Sequence, residues 1–154
     1  YEKLCRSHGA LLFEDYEEVR GWMDWLMDTL DSMEHPKCLC HIDANVDNFL
    51  FFEDGSVKLL DWEYAGMCDP VMDVSMCAIY SYYNEEDMER LFRLYLQREP
   101  SEDELFALYA NAALGGFLWC LWAVYKSILG DEFGEYTIIM YRYAKKYYRK
   151  LRKL

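Results

Sequence analysis

A mainly α-helical fold with one small β-hairpin is what this sequence predicts, and three observations lead there. Phe49-Leu-Phe-Phe52 and Val57-Lys-Leu-Leu60 flank Glu53-Asp54-Gly55-Ser56, a strand, turn, strand pattern of hairpin type. Everything after Asp69-Pro70 carries helical periodicity. Before the hairpin, Val19, Trp22, Met23, Leu26, Met27 and Leu30 recur at the spacing of one helix face, in a helix that should stop near His35-Pro36.

In chain order, Cys38-Leu-Cys40 reads as a strand that leads into the hairpin, and a turn is expected around Gly66. Asp69-Pro70 resembles a helix start, with Asp as N-cap and Pro at the first helical position. Helices are predicted from about Val71 to Tyr83 and from Glu85 to Gln97. A long one should run from Ser101 to about Ile128, and a last one from Phe133 to the end. Ser101-Glu-Asp-Glu104 fits a capping box, in which a hydroxyl and a carboxylate satisfy each other's backbone N–H groups, and Gly130 fits a break. Repeats, Ser/Gly linkers and low-complexity tracts are absent from the sequence.

With 154 residues, 53% of them hydrophobic, the chain is long enough for one well-buried domain and short for two. Its richest apolar stretch, Ala112 to Val124, falls short of the ~18–20 uncharged residues of a membrane span, so a soluble, cytoplasmic protein is expected. The six cysteines (Cys5, Cys38, Cys40, Cys68, Cys77, Cys120) sit singly or as Cys-x-Cys, without Cys-x-x-Cys pairs, and read as reduced, mostly buried thiols. Net charge is −12, yet Arg142, Lys145, Lys146, Arg149, Lys150, Arg152 and Lys153 crowd the C-terminus without an acidic neighbour. The acidic remainder repels nucleic acid and anionic membranes and attracts cations. The basic tail, interleaved with Tyr143, Tyr147, Tyr148 and Leu151, reads as the solvated side of an amphipathic helix, in favourable register with its own dipole.

The chemistry concentrates in His41-Ile-Asp43-Ala-Asn-Val-Asp47-Asn48 and Leu59-Leu60-Asp61-Trp62-Glu63-Tyr64. In the kinase template a loop Asp takes the proton of the substrate hydroxyl, an Asn five positions later holds magnesium, and an Asp after the next strand holds the metals that bridge the phosphates. Asp43, Asn48 and Asp61 have those identities in that order. A hydroxyl is a poor nucleophile at neutral pH, and a carboxylate on its proton orients it. Magnesium prefers hard oxygen donors and needs only one or two carboxylates, which Asn48 and Asp61 supply. Asp47 and Glu63 are candidates for additional ligands or outer contacts. His41 and Asp73 read as structural: His41 fixing the loop, Asp73 capping its own helix or reaching back to the loop. Each also has a plain alternative in turn formation or capping. A second constellation is aromatic: Tyr64 follows Asp61 by three residues, Trp119 and Trp122 share a helix face, and Tyr80, Tyr82, Tyr83 and Tyr136 are candidates for further walls. Such rings can hold a quaternary ammonium, or can simply be core.

Taken together, His41-x-Asp43-x-x-x-x-Asn48, Leu60-Asp61-Trp62-Glu63-Tyr64 and Asp73 resemble the aminoglycoside phosphotransferase and choline kinase superfamily. Asp61-Trp62-Glu63-Tyr64-Ala-Gly, Phe117-Leu-Trp119-Cys-Leu-Trp122, Glu132-Phe133-Gly134 and the Tyr-rich basic helix look like its choline/ethanolamine kinase branch, over about residues 38–154. The resemblance implies the C-terminal lobe of a protein-kinase-like α+β fold, with the N-terminal nucleotide-binding lobe, its Gly-rich loop and its Lys absent from this chain. It implies Asp43 as base, Asn48 and Asp61 as Mg²⁺ ligands, and Tyr64, Trp119 and Trp122, with Glu63 beside them, as contacts to the substrate. It further implies ATP as co-substrate and choline or ethanolamine as acceptor, with the chain inactive alone. An aminoglycoside or other small alcohol is the alternative acceptor, and a non-catalytic kinase-like binding module is the alternative class. Related phosphotransferases often carry Pro-Gly before the metal Asn, where this chain has Val46-Asp47.

Overall fold

The computed structural model describes residues 1–11, 13–34 and 36–153. They fold into two compact units: Tyr1–Met33 with Ala112–Leu154, and Glu34–Asn111.

The first unit is helical. A short helix, α1 (Glu2–Ser7), which the sequence pattern does not announce, precedes α2 (Tyr16–Ser32), the predicted amphipathic helix, with Tyr16, Val19, Met23 and Leu26 buried. That helix ends at Ser32; His35, part of its expected stop, lies outside the described residues. The other members are the C-terminal part of α5 (Glu102–Ile128) and α6 (Tyr136–Leu151), which starts three residues later than predicted. On α6 the stripe Met140, Tyr141, Tyr143, Ala144, Tyr147 and Leu151 is buried while Arg142, Lys146 and Arg149 face solvent, the amphipathic division expected of it. Asp15 accepts from the Tyr141 hydroxyl (2.9 Å) and pairs with Lys145, which ties the start of α2 to α6. Burial pushes the Tyr141 hydroxyl's pKa up, and the Asp15 carboxylate pushes it further.

Helices α5 and α6 approach closely at Gly116. A Cβ there would lie 2.7 Å from the Met140 carbonyl oxygen and 3.0 Å from the Ala144 nitrogen, both backbone atoms that cannot swing aside. By length and composition α5 is able to cross a membrane, which the sequence estimate based on Ala112–Val124 did not anticipate; 72% of its most apolar window is buried inside the protein, as in a core helix.

The second unit holds the β-structure. Strands β2 (Phe49–Phe51) and β3 (Val57–Leu59) form the predicted antiparallel hairpin, with Phe49 opposite Leu59. Strand β1 (Cys38–Cys40) pairs with β4 (Gly66–Cys68), so the segment around Gly66 is a strand and not only a turn. The correction has a physical reason: β4 is three residues long and owes its conformation to a partner far back in the chain.

Three helical segments follow. Helix α3 (Val71–Tyr80) ends earlier than predicted, because Tyr82 is left-handed (φ 54°). Pro70, not Asp69, occupies its N-cap, although the Asp69 carboxylate still accepts from the Val71 N–H (2.9 Å). Helix α4 (Glu85–Leu96) is capped by the Asn84 side chain and closed by a left-handed Gln97. The predicted capping box starts α5: Ser101 Oγ accepts from the Glu104 N–H and Glu104 from the Ser101 N–H. Bonding to Arg98, together with that backbone N–H, holds the Glu104 carboxyl down to about 2.

The cysteines are all free, but only Cys5, Cys40 and Cys120 are buried; Cys68 and Cys77 are half-buried and Cys38 is exposed, which corrects the expectation of mostly buried thiols.

Replacing Gly116 by Ala should force α6 away from α5 and destabilise the first unit by about 1–3 kcal/mol. Thermal unfolding checks this, with Gly21→Ala as the comparison, since a Cβ at Gly21 meets nothing within 4 Å.

Candidate active site

The segment from His41 to Asn48 is irregular backbone, and an irregular loop keeps one shape only if its peptide groups find partners. Asp73, in the first turn of α3, supplies them. Its Oδ2 accepts from the His41 N–H at 2.9 Å and its Oδ1 from the Ile42 N–H at 2.7 Å. Of the two structural roles the sequence left open for Asp73, the structure has the reach back to the loop. Ile42 sits at φ 69°, a left-handed conformation that a β-branched residue adopts only when its surroundings impose it.

His41 secures the other side. Its ring is buried, and Nε2 donates to the Leu60 carbonyl at 2.6 Å, which fixes the proton on Nε2. The ring also meets Trp62 edge-on, with centroids 4.8 Å apart. His41 therefore joins the loop to both neighbours of Asp61, as a structural residue.

This frame presents Asp43 and Asn48 to each other. Asn48 Nδ2 donates to the Asp43 backbone oxygen (2.9 Å) and to Asp43 Oδ2 (3.0 Å). The Tyr80 hydroxyl donates to Asp43 Oδ1 at 2.7 Å. Both carboxylate oxygens are thus oriented by neutral donors, with no cation bonded to them among the described residues. Tyr80 was read from sequence only as an aromatic wall. The signal for its placement was available, because Asp73 and Tyr80 lie two turns apart on α3 and so share a face.

Across the hairpin, the Leu60 N–H donates to the Asn48 carbonyl at 2.8 Å, which sets Asp61 one residue beyond the position opposite Asn48. Asp61 is exposed and, like Ile42, left-handed (φ 60°). Val46–Asn48 forms a 3₁₀ turn whose Asp47 N–H is accepted by the Asn45 side chain, and Asp47 itself points to solvent. Glu63 is exposed and Tyr64 half-buried.

Asn48 and Asp61 offer hard oxygen donors that suit magnesium: with the Asn48 amide nitrogen committed to Asp43, its oxygen remains for a cation. Among the described residues no group of three or more His, Cys, Asp or Glu is placed to hold a metal alone.

Trp119 and Trp122 belong to the first unit and Tyr64 to the second. The two indoles meet edge-on at 5.6 Å, as their spacing predicts, and Trp122 continues to Phe133 at 4.9 Å. Trp119 is buried; Trp122 is half-buried, with the Lys126 ammonium 5.8 Å from its ring centroid. Phe133, the aromatic neighbour absent from the predicted set, is foreshadowed only by its position in Glu132-Phe133-Gly134.

Residues 2–110 match the model of the phosphotransferase enzyme family, known as APH. The chain belongs to that family. Its relatives sharpen the likeness. Protein LicA of Haemophilus influenzae is 27% identical over 105 residues, covering 64% of this chain and 39% of its own length. Mouse ethanolamine kinase 1 is 26% identical over 151 residues, covering 80% and 42% respectively. Among solved structures, choline kinase LicA from Streptococcus pneumoniae superposes with a TM-score of 0.78 at 27% identity, over 97% of this chain and 54% of its own. LicA has also been solved in complex with AMP, and that structure superposes with a TM-score of 0.79. The chain spans about half the length of these relatives, or less. The mainly helical, kinase-like fold expected from the sequence is the fold observed.

Within the family fold, the Asp73 clamp should be the most sensitive point of the loop. Asp73→Ala leaves two N–H groups without their acceptor and should cost about 2–4 kcal/mol, taken as two lost charge-assisted bonds. Amide hydrogen exchange provides the local check: protection at His41 and Ile42 should collapse, while α6 keeps its own.

Proposed function

We propose that this chain carries the acceptor-activating and metal-binding half of a phosphotransferase that moves the γ-phosphoryl group of ATP to the hydroxyl of choline or ethanolamine. The observation that carries the reading is the Asp43 carboxylate, held by Tyr80 and Asn48, with Asp61 next to the residue that the hairpin bonds to Asn48. A carboxylate whose oxygens are oriented by neutral donors can take the proton of an alcohol late in an in-line transfer. Asn48 and Asp61 would hold Mg²⁺, which would neutralise charge on the phosphates. His41 and Asp73 position Asp43 without touching substrate.

For the acceptor, support comes from the choline and ethanolamine kinases among the relatives, from the acidic composition, which favours a cation, and from the aromatic set. A trimethylammonium has no N–H to donate and depends on aromatic faces, whereas a primary ammonium wants acceptors. The indole pair of Trp119 and Trp122, and separately the ring of Tyr64 beside Glu63, are the aromatic faces that favour choline. An aminoglycoside would call for more carboxylates and fewer indoles. In this reading residues 1–154, which hold no Gly-rich loop, do not turn over ATP by themselves. The protein then works where ATP and free Mg²⁺ are available, as in the cytoplasm.

The test is a coupled assay of a full-length protein carrying this chain, offered choline, ethanolamine and an aminoglycoside. Choline should give the highest kcat/KM, and no turnover with either amino alcohol overturns the assignment. Asp43→Asn should lower kcat by about 10²–10⁴-fold. Trp122→Ala should chiefly raise KM for choline, since an aromatic face that binds ground state and transition state alike contributes uniform binding. Unchanged choline affinity in that variant makes Trp122 a core residue only.

A further inference from the structure

The outer side of α6 runs against the charge of the chain as a whole. Arg142, Lys145, Lys146 and Arg149 line a cleft of about 690 Å³, together with Phe13, Glu14 and Asp15 from the segment that leads into α2. All of these residues belong to the first unit. Four cationic and two anionic groups give the cleft a charge of +2, in a chain whose net charge is −12. The Phe13 and Tyr141 rings stack at 4.0 Å and, with Ile138, form the apolar part of its lining. A concave space of this size, part apolar and part charged, has the character of a small-molecule site.

We propose that this cleft binds the phosphate group of an anionic ligand through Arg142, Lys146 and Arg149. The three lie four and three residues apart on α6, along one face of the helix. The outer two are separated by roughly 10.5 Å along the axis, so their long side chains can converge on one group above Lys146. A guanidinium fork meets phosphate oxygens two at a time, which makes Arg the fitting residue for such a ligand. These charges are also not consumed within the protein. Arg6, Arg20, Arg93 and Arg98 each pair with a carboxylate, whereas Arg142 and Arg149 make no ion pair among the described residues. Asp15, one of the two carboxylates in the cleft, is committed to Lys145 and to the Tyr141 hydroxyl.

Aromatic rings steady two of the three cations. The Arg149 guanidinium lies 5.6 Å from the Trp22 ring centroid, and the Lys146 ammonium 5.0 Å from that of Tyr147. Trp22 is in turn stacked on Tyr148 at 4.5 Å. A ring face holds a cation in place without cancelling its charge, which stays available to an anion. The source of the phosphate can be a soluble ester or the headgroup of an anionic lipid. In the second case contact stops at the headgroup: the apolar side of α6, with Met140, Ala144, Tyr147 and Leu151, is buried in the protein and cannot enter an acyl layer. The proposal uses no residue from His41 to Asp61 and stands apart from the phosphoryl-transfer reading.

The experiment needs no enzymatic activity. Isotope-labelled full-length protein carrying this chain is titrated with inorganic pyrophosphate, with sodium chloride at matched ionic strength as the reference. NMR follows the Nε–H groups of Arg142 and Arg149 and the backbone amides of α6. Saturable shifts at both arginines, absent with chloride, are expected. Arg142→Gln should weaken binding about tenfold, as for one lost charge-assisted contact, and the double variant Arg142→Gln with Arg149→Gln should abolish it. Arg142 is exposed, so its replacement should leave the fold intact, which circular dichroism verifies. A second arm sediments the protein with vesicles of phosphatidylcholine, alone or in equal mixture with phosphatidylglycerol. Added binding to the mixed vesicles alone, lost in the double variant, assigns the site to a lipid headgroup; pyrophosphate binding without it assigns the site to a soluble phosphate ester. Shifts confined to residues 41–61, shifts that chloride reproduces, or pyrophosphate affinity unchanged in the double variant overturns the proposal.

Discussion

Two hydrogen bonds accepted by one carboxylate hold the arrangement of the candidate site. Asp73 accepts from the consecutive N–H groups of His41 and Ile42, which obliges that stretch to turn and maintains Ile42 in a conformation it would otherwise leave. A left-handed β-branched residue costs on the order of 1–3 kcal/mol, and two charge-assisted bonds offset that cost. The loop therefore has its shape from α3 rather than from its own sequence. His41 extends the constraint to Leu60, and the Leu60 N–H returns it to Asn48, so the chain is pinned on both sides of the hairpin.

That frame holds the Asp43 carboxylate in place with no ion pair to it among the described residues. Asp43 is held by a hydroxyl and an amide, both neutral donors that fix the direction of its two oxygens. Asp61 is exposed, as a group must be if phosphate and metal are to reach it from solvent. Sites built in this way are positioned by hydrogen bonds and completed by their ligands.

Much of this was legible in the sequence, for identifiable reasons. The hairpin shows because alternation and an Asp-Gly turn are local signals; the helices show because their apolar faces repeat every three to four residues; the capping box shows because both partners lie within one turn. Asp43, Asn48 and Asp61 stand out as candidates because order and spacing are legible in the sequence alone. Strand β4 was hidden because three residues carry no periodicity and its partner β1 is remote in sequence. Helix α1, at six residues, is too short to show an amphipathic face. Tyr80 was placed among aromatic walls because a tyrosine reads as a ring first, and only the coordinates bring its hydroxyl to Asp43. The close approach at Gly116 depends on α6, which no local pattern reveals.

The central claim is that the loop from His41 to Asp61 is a metal-dependent phosphoryl-transfer site, and paramagnetic NMR addresses it most directly. Mn²⁺ with a non-hydrolysable ATP analogue would be titrated into the isotope-labelled full-length protein, and line broadening followed residue by residue. The account predicts that the Asn48 side-chain amide and the Asp61 backbone amide broaden first and together, and that Asp61→Ala removes the effect at Asn48. Broadening centred elsewhere, with Asn48 and Asp61 unaffected at saturating metal and nucleotide, would contradict it.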